Sequence, residues 1–279
     1  MRFGFAVVLR FAFGTFLVLI GCLSGLAGHA WQPLLNGKTL DGWYIVIGKN
    51  RTNDPKHLVQ VDNGAIHMYR DEVDGSPQPA GYIVTDKEYS NYHLRLEYKW
   101  GEKRFAPRAK TKRDAGILYH VTGPDGVWPQ SIECQIQERD VGDIWTVRTR
   151  ITGFVDAGTT NIVPIVATND AAKIVTNQSA PMYLPPEKGG IRLIRGTAKG
   201  IQRLIRNPMS EREGWNTVEV IVRGDRATYI VNGKVNNEAT KIEEFKENKW
   251  VPLTKGRIAL QLEYAEVFYR NLEIQELEE

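Results

Sequence analysis

Cysteine is almost missing from this chain, which has Cys22 and Cys134 and no others among 279 residues. If the first thirty residues are removed as a leader, only Cys134 remains and no intramolecular disulfide can form. Stability must then come from a buried core, which a domain of this size can build without cross-links. Amphipathic helix patterns are also scarce. No GxGxxG phosphate loop, HExxH zinc motif or GxSxG nucleophile elbow is present, and no internal repeat is visible. Nor does one sign of charge dominate: the formal net charge is +3, too little to point to a nucleic-acid partner.

What the chain does have begins at its N-terminus. Arg2 and Arg10 precede an uncharged run from Phe11 to Gly28, which ends in the small-x-small sequence Gly28-His29-Ala30 before Trp31. This is the pattern of a secretory signal peptide over residues 1–30, and it predicts a periplasmic or extracellular domain over 31–279. The run is near the lower limit for spanning a bilayer, and its Gly and Ser content speaks against an uncleaved anchor. A second processing route is written at Leu19-Ile20-Gly21-Cys22, which resembles a bacterial lipobox and would tether the chain to a membrane at Cys22. Apolar sequence continues beyond Cys22 with no polar tether, so simple export is the expectation. Without residues 1–30 the chain carries 34 basic against 33 acidic residues.

The rest reads as short strands separated by turn residues, the pattern of an all-β protein. Leu58 to Met68 and Gly81 to Thr85 are apolar strands. Asn91 to Trp100 alternates clearly, with Leu94, Leu96, Tyr98 and Trp100 opposite Arg95, Glu97 and Lys99. Gly101 to Arg113 then gathers six basic residues, read as a solvated hairpin excursion. Asn161 to Val166 and Gly190 to Ile194 are strand-like pieces in the least patterned part. Trp215 to Val222 and Ala227 to Val235 follow, the latter split by the hairpin signal Asn232-Gly233, and Gly256 to Ile274 closes the chain with two strands around Tyr264 and Ala265. Leu94, Leu96, Ile132, Ile136, Val218, Val220, Leu260 and Leu262 are the expected core.

The most informative stretch is DAGILYHVTGPDGVWPQSIECQIQERDVGDIW, Asp114 to Trp145. It contains strands at Ile117 to Val121 and Ser131 to Gln137, a Gly/Pro turn, and an acidic loop with Asp140 and Asp143. In the second strand Ile132, Cys134 and Ile136 share one face while Glu133, Gln135 and Gln137 share the other. Amides and a carboxylate at roughly 7 Å steps suit successive sugar hydroxyls, so this face is the candidate carbohydrate site.

These residues also carry a resemblance. The opening WQPLLNGKTLDGW, the central stretch, WNTVEV, VNGKV and the final GRIALQLEYAEVFYRNLEI are together similar to the 3-keto-disaccharide hydrolase family, also described as 3-keto-glucoside lyase and hydratase domains. The match weakens between residues 146 and 210, and Asn236 and Asn237 replace a typical valine and asparagine. The resemblance implies a concanavalin-like jelly-roll sandwich of two antiparallel sheets. Glu133-x-Gln135-x-x-Glu138 also resembles the ExDxxE strand of laminarinase-like glycosidases, but Gln135 stands where a retaining mechanism needs an acid.

The resemblance further implies a glucoside already oxidised to a ketone at C3, cleaved by proton abstraction at C2 and β-elimination, with water adding afterwards. Such a site needs a base, an enolate stabiliser and an acid. Glu133 is the expected base or metal ligand, and His120, ending the neighbouring strand, the expected acid or ligand. Gln135, Gln137, Asn232 and Gln261 suit hydroxyl binding, and Arg150, expected near the acidic loop, is the fifth expected substrate-binding residue. Glu97, Asp140, Asp143 and Glu263 offer oxygen ligands for a divalent cation. A noncatalytic lectin-like module is the rival from another class, and an ordinary glycosidase the third.

Overall fold

The computed structural model describes residues 30–159, 173–174 and 180–278. The expected leader, except for Ala30, and the expected strand Asn161 to Val166 therefore lie outside the described residues. What is described is a concanavalin-like jelly-roll sandwich of an eight-stranded and a twelve-stranded sheet. Neighbouring strands pair antiparallel except Lys173–Ile174 on Ile191–Gly196.

The smaller sheet positions the site. Its strands lie in the order Ile201–Leu204, Ile144–Val147, Gln130–Gln135, Gly116–Thr122, Arg257–Leu262, Gly81–Thr85, Trp43–Ile47 and Asn50–Thr52. Alternation along each strand sends Ile83, Ile117, Tyr119, Ile132, Cys134, Leu260 and Leu262 towards the larger sheet. There they pack with Leu94, Leu96, Tyr98, Val218, Val220 and Tyr229 in one core. Each such aliphatic side chain contributes roughly 1.5–3 kcal/mol by leaving water. All eight residues expected in the core are buried. The Tyr229 hydroxyl lies 2.9 Å from that of Tyr119 and 3.2 Å from the Glu133 carbonyl oxygen, so the larger sheet braces the strand that carries Glu133.

Several element boundaries differ from the sequence pattern, each for a local reason. Leu58 to Met68 is two strands, Val59–Asp62 and Ala65–Met68, because Asn63 and Gly64 both take positive φ and turn the chain. The alternating strand runs on as Tyr92–Arg104, into what reads as a basic excursion. The strand expected to end at Gln137 ends at Gln135, whose side-chain carbonyl accepts hydrogen bonds from the backbone amides of Ile136 (2.9 Å) and Gln137 (3.1 Å). The closing pair around Tyr264 is divided between the sheets: Arg257–Leu262 belongs to the smaller and Ala265–Glu276 to the larger.

Candidate functional site

Cross-strand register defines the outer face of the smaller sheet. One row across it reads Tyr44, Val84, Ala259, Leu118, Glu133, Trp145 and Arg203, each opposite the next on a neighbouring strand. The adjoining row contains Val46, Tyr82 and Gln261. Val46, Tyr82, Val84, Leu118, Val121 and Ala259 form a second apolar cluster on this face, with Tyr44 and Trp128 packed against it. Glu133 is thus the carboxylate in a row that is apolar on one side and aromatic on the other.

Next to Glu133 the strand has no side chain. A β-carbon on Gly116 would overlap Oε1 of both Glu133 and Gln261, so only glycine lets these two side chains meet there. Glu133 is 6% and Gln261 1% exposed. The Gln261 amide lies against the Glu133 carboxyl, where its hydrogen bond favours the ionised acid, and it meets no other hydrogen-bond partner among the described residues. A buried amide with Glu133 as its one partner has hydrogen-bonding capacity left for a group that arrives from outside.

Two further acids lie close by. Asp114 pairs with Glu263 across a β-bridge, and Arg108 joins them through Nη2 at 2.6 Å from Asp114 Oδ2 and Nη1 at 2.5 Å from Glu263 Oε1. Gln137 donates its side-chain amide to Asp114 Oδ2 at 2.7 Å, while Asp114 Oδ1 is buried with no partner among the described residues. Three carboxyl groups share one cation, and the electrostatics follow. Burial, then the charges of Glu263 and Asp114, raise the Glu133 pKa well above the carboxylate range. Burial and Asp114 push Glu263 up to about 8, against the pull of Arg108. Asp114 is raised too, by burial, with Arg108 opposing. Each acid of the cluster therefore holds its proton more tightly than a free carboxyl does.

The other residues expected at the site are placed elsewhere. His120 does not join Glu133: its Nε2 lies 3.0 Å from the Gly224 carbonyl oxygen, in a turn of the larger sheet, and burial lowers its pKa to about 4. Asn232 is a turn residue of the larger sheet. Its amide donates to Ser210 O and Asn216 Oδ1, both at 2.8 Å, and its carbonyl accepts from the Thr217 amide. Arg150 is not near the acidic loop, since it pairs with Glu243 at 2.6 Å and stacks on Trp250. The residues that hold the loop are Arg203 and Arg206, which contact both Asp140 and Asp143, and Lys112, 2.7 Å from Asp140. Gln135 caps its own strand, and Gln137 serves Asp114.

The four carboxylates expected to bind a cation are dispersed. Glu97 pairs with Arg270 at 2.6 Å on the larger sheet, Asp140 and Asp143 face the cations just named, and Glu263 faces Arg108. Each oxygen donor is neutralised by a protein cation, and no group of three or more His, Cys, Asp or Glu among the described residues could hold a metal ion. The donor set does not fit a divalent cation.

Asp114, Arg108, Gly116 and Trp145 belong to the neighbourhood of Glu133 without having been singled out. Arg108 was hidden in a basic run that reads as solvated, yet its members meet acids: Lys103 pairs with Glu266, Arg104 and Arg113 with Glu138, and Lys112 with Asp140. Only the small residues of Asp114-Ala115-Gly116 hinted at a close approach. Glu138 itself is held by Arg113 at 3.0 Å, which lowers its pKa.

Among solved structures the chain is similar to a Parabacteroides distasonis protein of proposed glycosyl hydrolase type. The two are 18% identical with a TM-score of 0.49 over 89% of this chain and 100% of that one. It is also similar to a carbohydrate-binding module from Bacillus subtilis, at 10% identity and a TM-score of 0.43 over 84% of this chain and 96% of that one. A Bacillus licheniformis beta-glucanase aligns at 10% identity and a TM-score of 0.40 over 91% and 100% of the two chains. No curated protein sequence matches. The model of the 3-keto-alpha-glucoside-1,2-lyase-like domain matches residues 30–275, nearly the whole domain, and the chain belongs to that family.

Proposed function

We propose that this carbohydrate-active protein cleaves 3-keto-glucosides at the outer face of the smaller sheet, with Glu133 as the group that moves the proton. The observation that carries the reading is the Glu133 carboxyl itself, buried beside two other acids and meeting Gln261 over a glycine whose missing β-carbon makes room for both side chains. A lectin needs hydroxyl binders and aromatic platforms but no carboxyl whose proton is tuned by burial and neighbouring charge.

The ketone at C3 acidifies the C2 hydrogen. Ionised Glu133 takes that proton, and the C–H electron pair moves into a C2–C3 enolate. The enolate returns its electrons, the C1–O bond breaks, and an enone with a C1–C2 double bond forms while the leaving oxygen recovers a proton. A carboxyl with a raised pKa is a strong base once ionised and a competent acid once protonated, so the proton gained at C2 is available to the departing oxygen. Water added across the double bond gives the free keto sugar. The Gln261 amide, with the hydrogen-bonding capacity left to it, and the Trp145 ring supply hydroxyl and ring contacts beside Glu133.

An ordinary retaining glycosidase is less compatible with these residues. Its second carboxyl group should stand about 5 Å from the first and share a tuned proton. Glu138, the candidate by motif, is tied to Arg104 and Arg113. Export, with the mature chain starting at Trp31, is part of the proposal and is checked by N-terminal sequencing; a mature chain beginning at a lipidated Cys22 would replace it. The deciding experiment incubates the mature domain with a 3-keto-glucoside and its unoxidised parent. Release of the leaving group from the keto compound alone is expected; binding of both with release from neither would leave a lectin.

A further inference from the structure

The elimination described above leaves one requirement unmet. Moving the C2 proton to Glu133 neutralises that carboxyl and places negative charge on the C3 oxygen, beside the buried acids Asp114 and Glu263. On top of burial, the charges of Glu263 and Asp114 already raise the pKa of Glu133, and that of Asp114 raises the pKa of Glu263, so a further anion formed beside them needs a cation to face it. Arg108 is the cation that touches the acid cluster: it contacts Asp114 and Glu263 directly and is the positive charge felt by Glu133.

Its placement is that of a group facing two ways. The Arg108 side chain is 28% exposed, while those of Asp114 and Glu263 are 6% and 13% exposed, so the guanidinium lies between the buried acids and the outside. Its Nη1 and Nη2 are fixed by the two carboxylates, which leaves further N–H donors of the fork for an incoming oxygen. Two partners already hold the side chain, so little of its freedom remains to be lost when charge develops, as preorganised stabilisation requires. The chain reaches this position because Tyr92–Arg104 runs into the turn at Phe105, whose buried ring packs on Tyr69 with centroids 4.7 Å apart.

We propose that Arg108 is a catalytic residue that stabilises the enolate oxygen at C3, with Asp114 and Glu263 as the positioning residues that hold its guanidinium towards the substrate. The assignment rests on the reading of function given above. The overall step balances without any further reactant: the proton leaves C2 for Glu133, the charge moves to the C3 oxygen against Arg108, and it departs again when the C1–O bond breaks.

The test compares wild type, Arg108→Gln and Arg108→Lys on a 3-keto-glucoside carrying hydrogen or deuterium at C2, across pH and with and without a chelator. Arg108→Gln should lower kcat by roughly a hundredfold to a thousandfold, the size seen on removing one donor to a developing oxyanion. KM should change only a few-fold, the C2 isotope effect should rise, and the rate should require higher pH because Glu133 loses its stabilising cation. Arg108→Lys keeps the charge, so its pH profile should stay near that of wild type while kcat falls less. Thermal melting separates these effects from unfolding. If Arg108→Gln does not fold, Arg108→Lys decides: a lower kcat at unchanged pH profile supports the role, and wild-type kcat overturns it. Near-normal kcat in a folded Arg108→Gln overturns the assignment and leaves the function standing. Wild-type turnover abolished by chelator would move the countercharge to a metal ion and overturn it also. A wild type inert towards the keto sugar removes the functional reading and this assignment together.

Discussion

Glu133 and Gln261 come from strands that are not neighbours, and they meet over Gly116, on the strand between, because that residue has no β-carbon. The contact makes a glycine part of the site's geometry. Gly116→Ala should force both buried side chains aside, at a cost of about 1–3 kcal/mol, as for other overpacked positions. Turnover should fall much further than stability, since Glu133 is displaced from whatever it faces. Thermal unfolding and turnover of the variant, measured together, check this. An active Gly116→Ala enzyme would mean that the Glu133–Gln261 contact is not used.

Glu133→Gln keeps the shape and removes the ionisable group. Turnover should drop by roughly a hundredfold to ten-thousandfold, the usual worth of positioned proton transfer. Stability gives a second readout with a definite sign. The folded pKa of Glu133 is raised, so its contribution to stability is fully present below the ordinary value of 4.5 and is lost as pH rises through the folded value. Glu263 behaves alike over the window from 4.5 to about 8. Melting temperatures of Glu133→Gln and Glu263→Gln should therefore gain on wild type as pH rises, and parallel curves for variant and wild type would show that these acids ionise freely.

Much of the fold was legible in the chain, and the reason is periodicity. Leu94, Leu96, Val218 and Val220 alternate with polar residues, and alternation dictates which face meets the other sheet. Glu133 was legible in the same way, from its place opposite Ile132 and Cys134. What alternation along a strand does not encode is which strand lies beside it. Gly116, Gln261 and Trp145 flank Glu133 through register between segments up to about 130 residues apart. His120 illustrates the same limit. A shift of register between Tyr119 and Thr122 and a φ of 50° at His120 break the simple alternation, and the ring meets Gly224 in the other sheet. Arg108 was obscured differently, since a run of bases looks solvated until the acids it meets are known.

His120 should accordingly matter for stability and not for turnover. His120→Gln retains an amide donor for the Gly224 carbonyl and should keep kcat within a few-fold of wild type. The His120 pKa is depressed from 6.5 to about 4, so the stability it contributes is present above 6.5 and lost as pH falls through the folded value. Acid unfolding curves should show wild type losing stability over this window and the variant losing less. A collapse of kcat with unchanged melting would return His120 to the chemistry.

Trp145 stands opposite Glu133 on the next strand, with the Arg203 guanidinium 5.5 Å from its ring. Its indole Nε1 is buried without a partner among the described residues. Two features of this side chain can then be separated by mutation. The ring offers a face on which a sugar can lie, and the N–H is a donor that no described protein group accepts. Trp145→Phe keeps an aromatic ring and deletes the donor; relieved of an unpaired buried N–H, it should melt no lower than wild type unless its smaller volume leaves a void. Trp145→Ala removes both features. If the ring is the platform, KM for the keto-glucoside should rise in Trp145→Ala by about tenfold, corresponding to about 1.4 kcal/mol of lost contact, with kcat changed less. If the N–H is a substrate donor, Trp145→Phe should already show most of that rise. Steady-state kinetics of the two variants, with binding of the unoxidised parent glucoside as an independent measure, distinguish the cases. Unchanged KM and binding in both would place the sugar away from Trp145, towards Leu118 and Gln261 on the other side of Glu133.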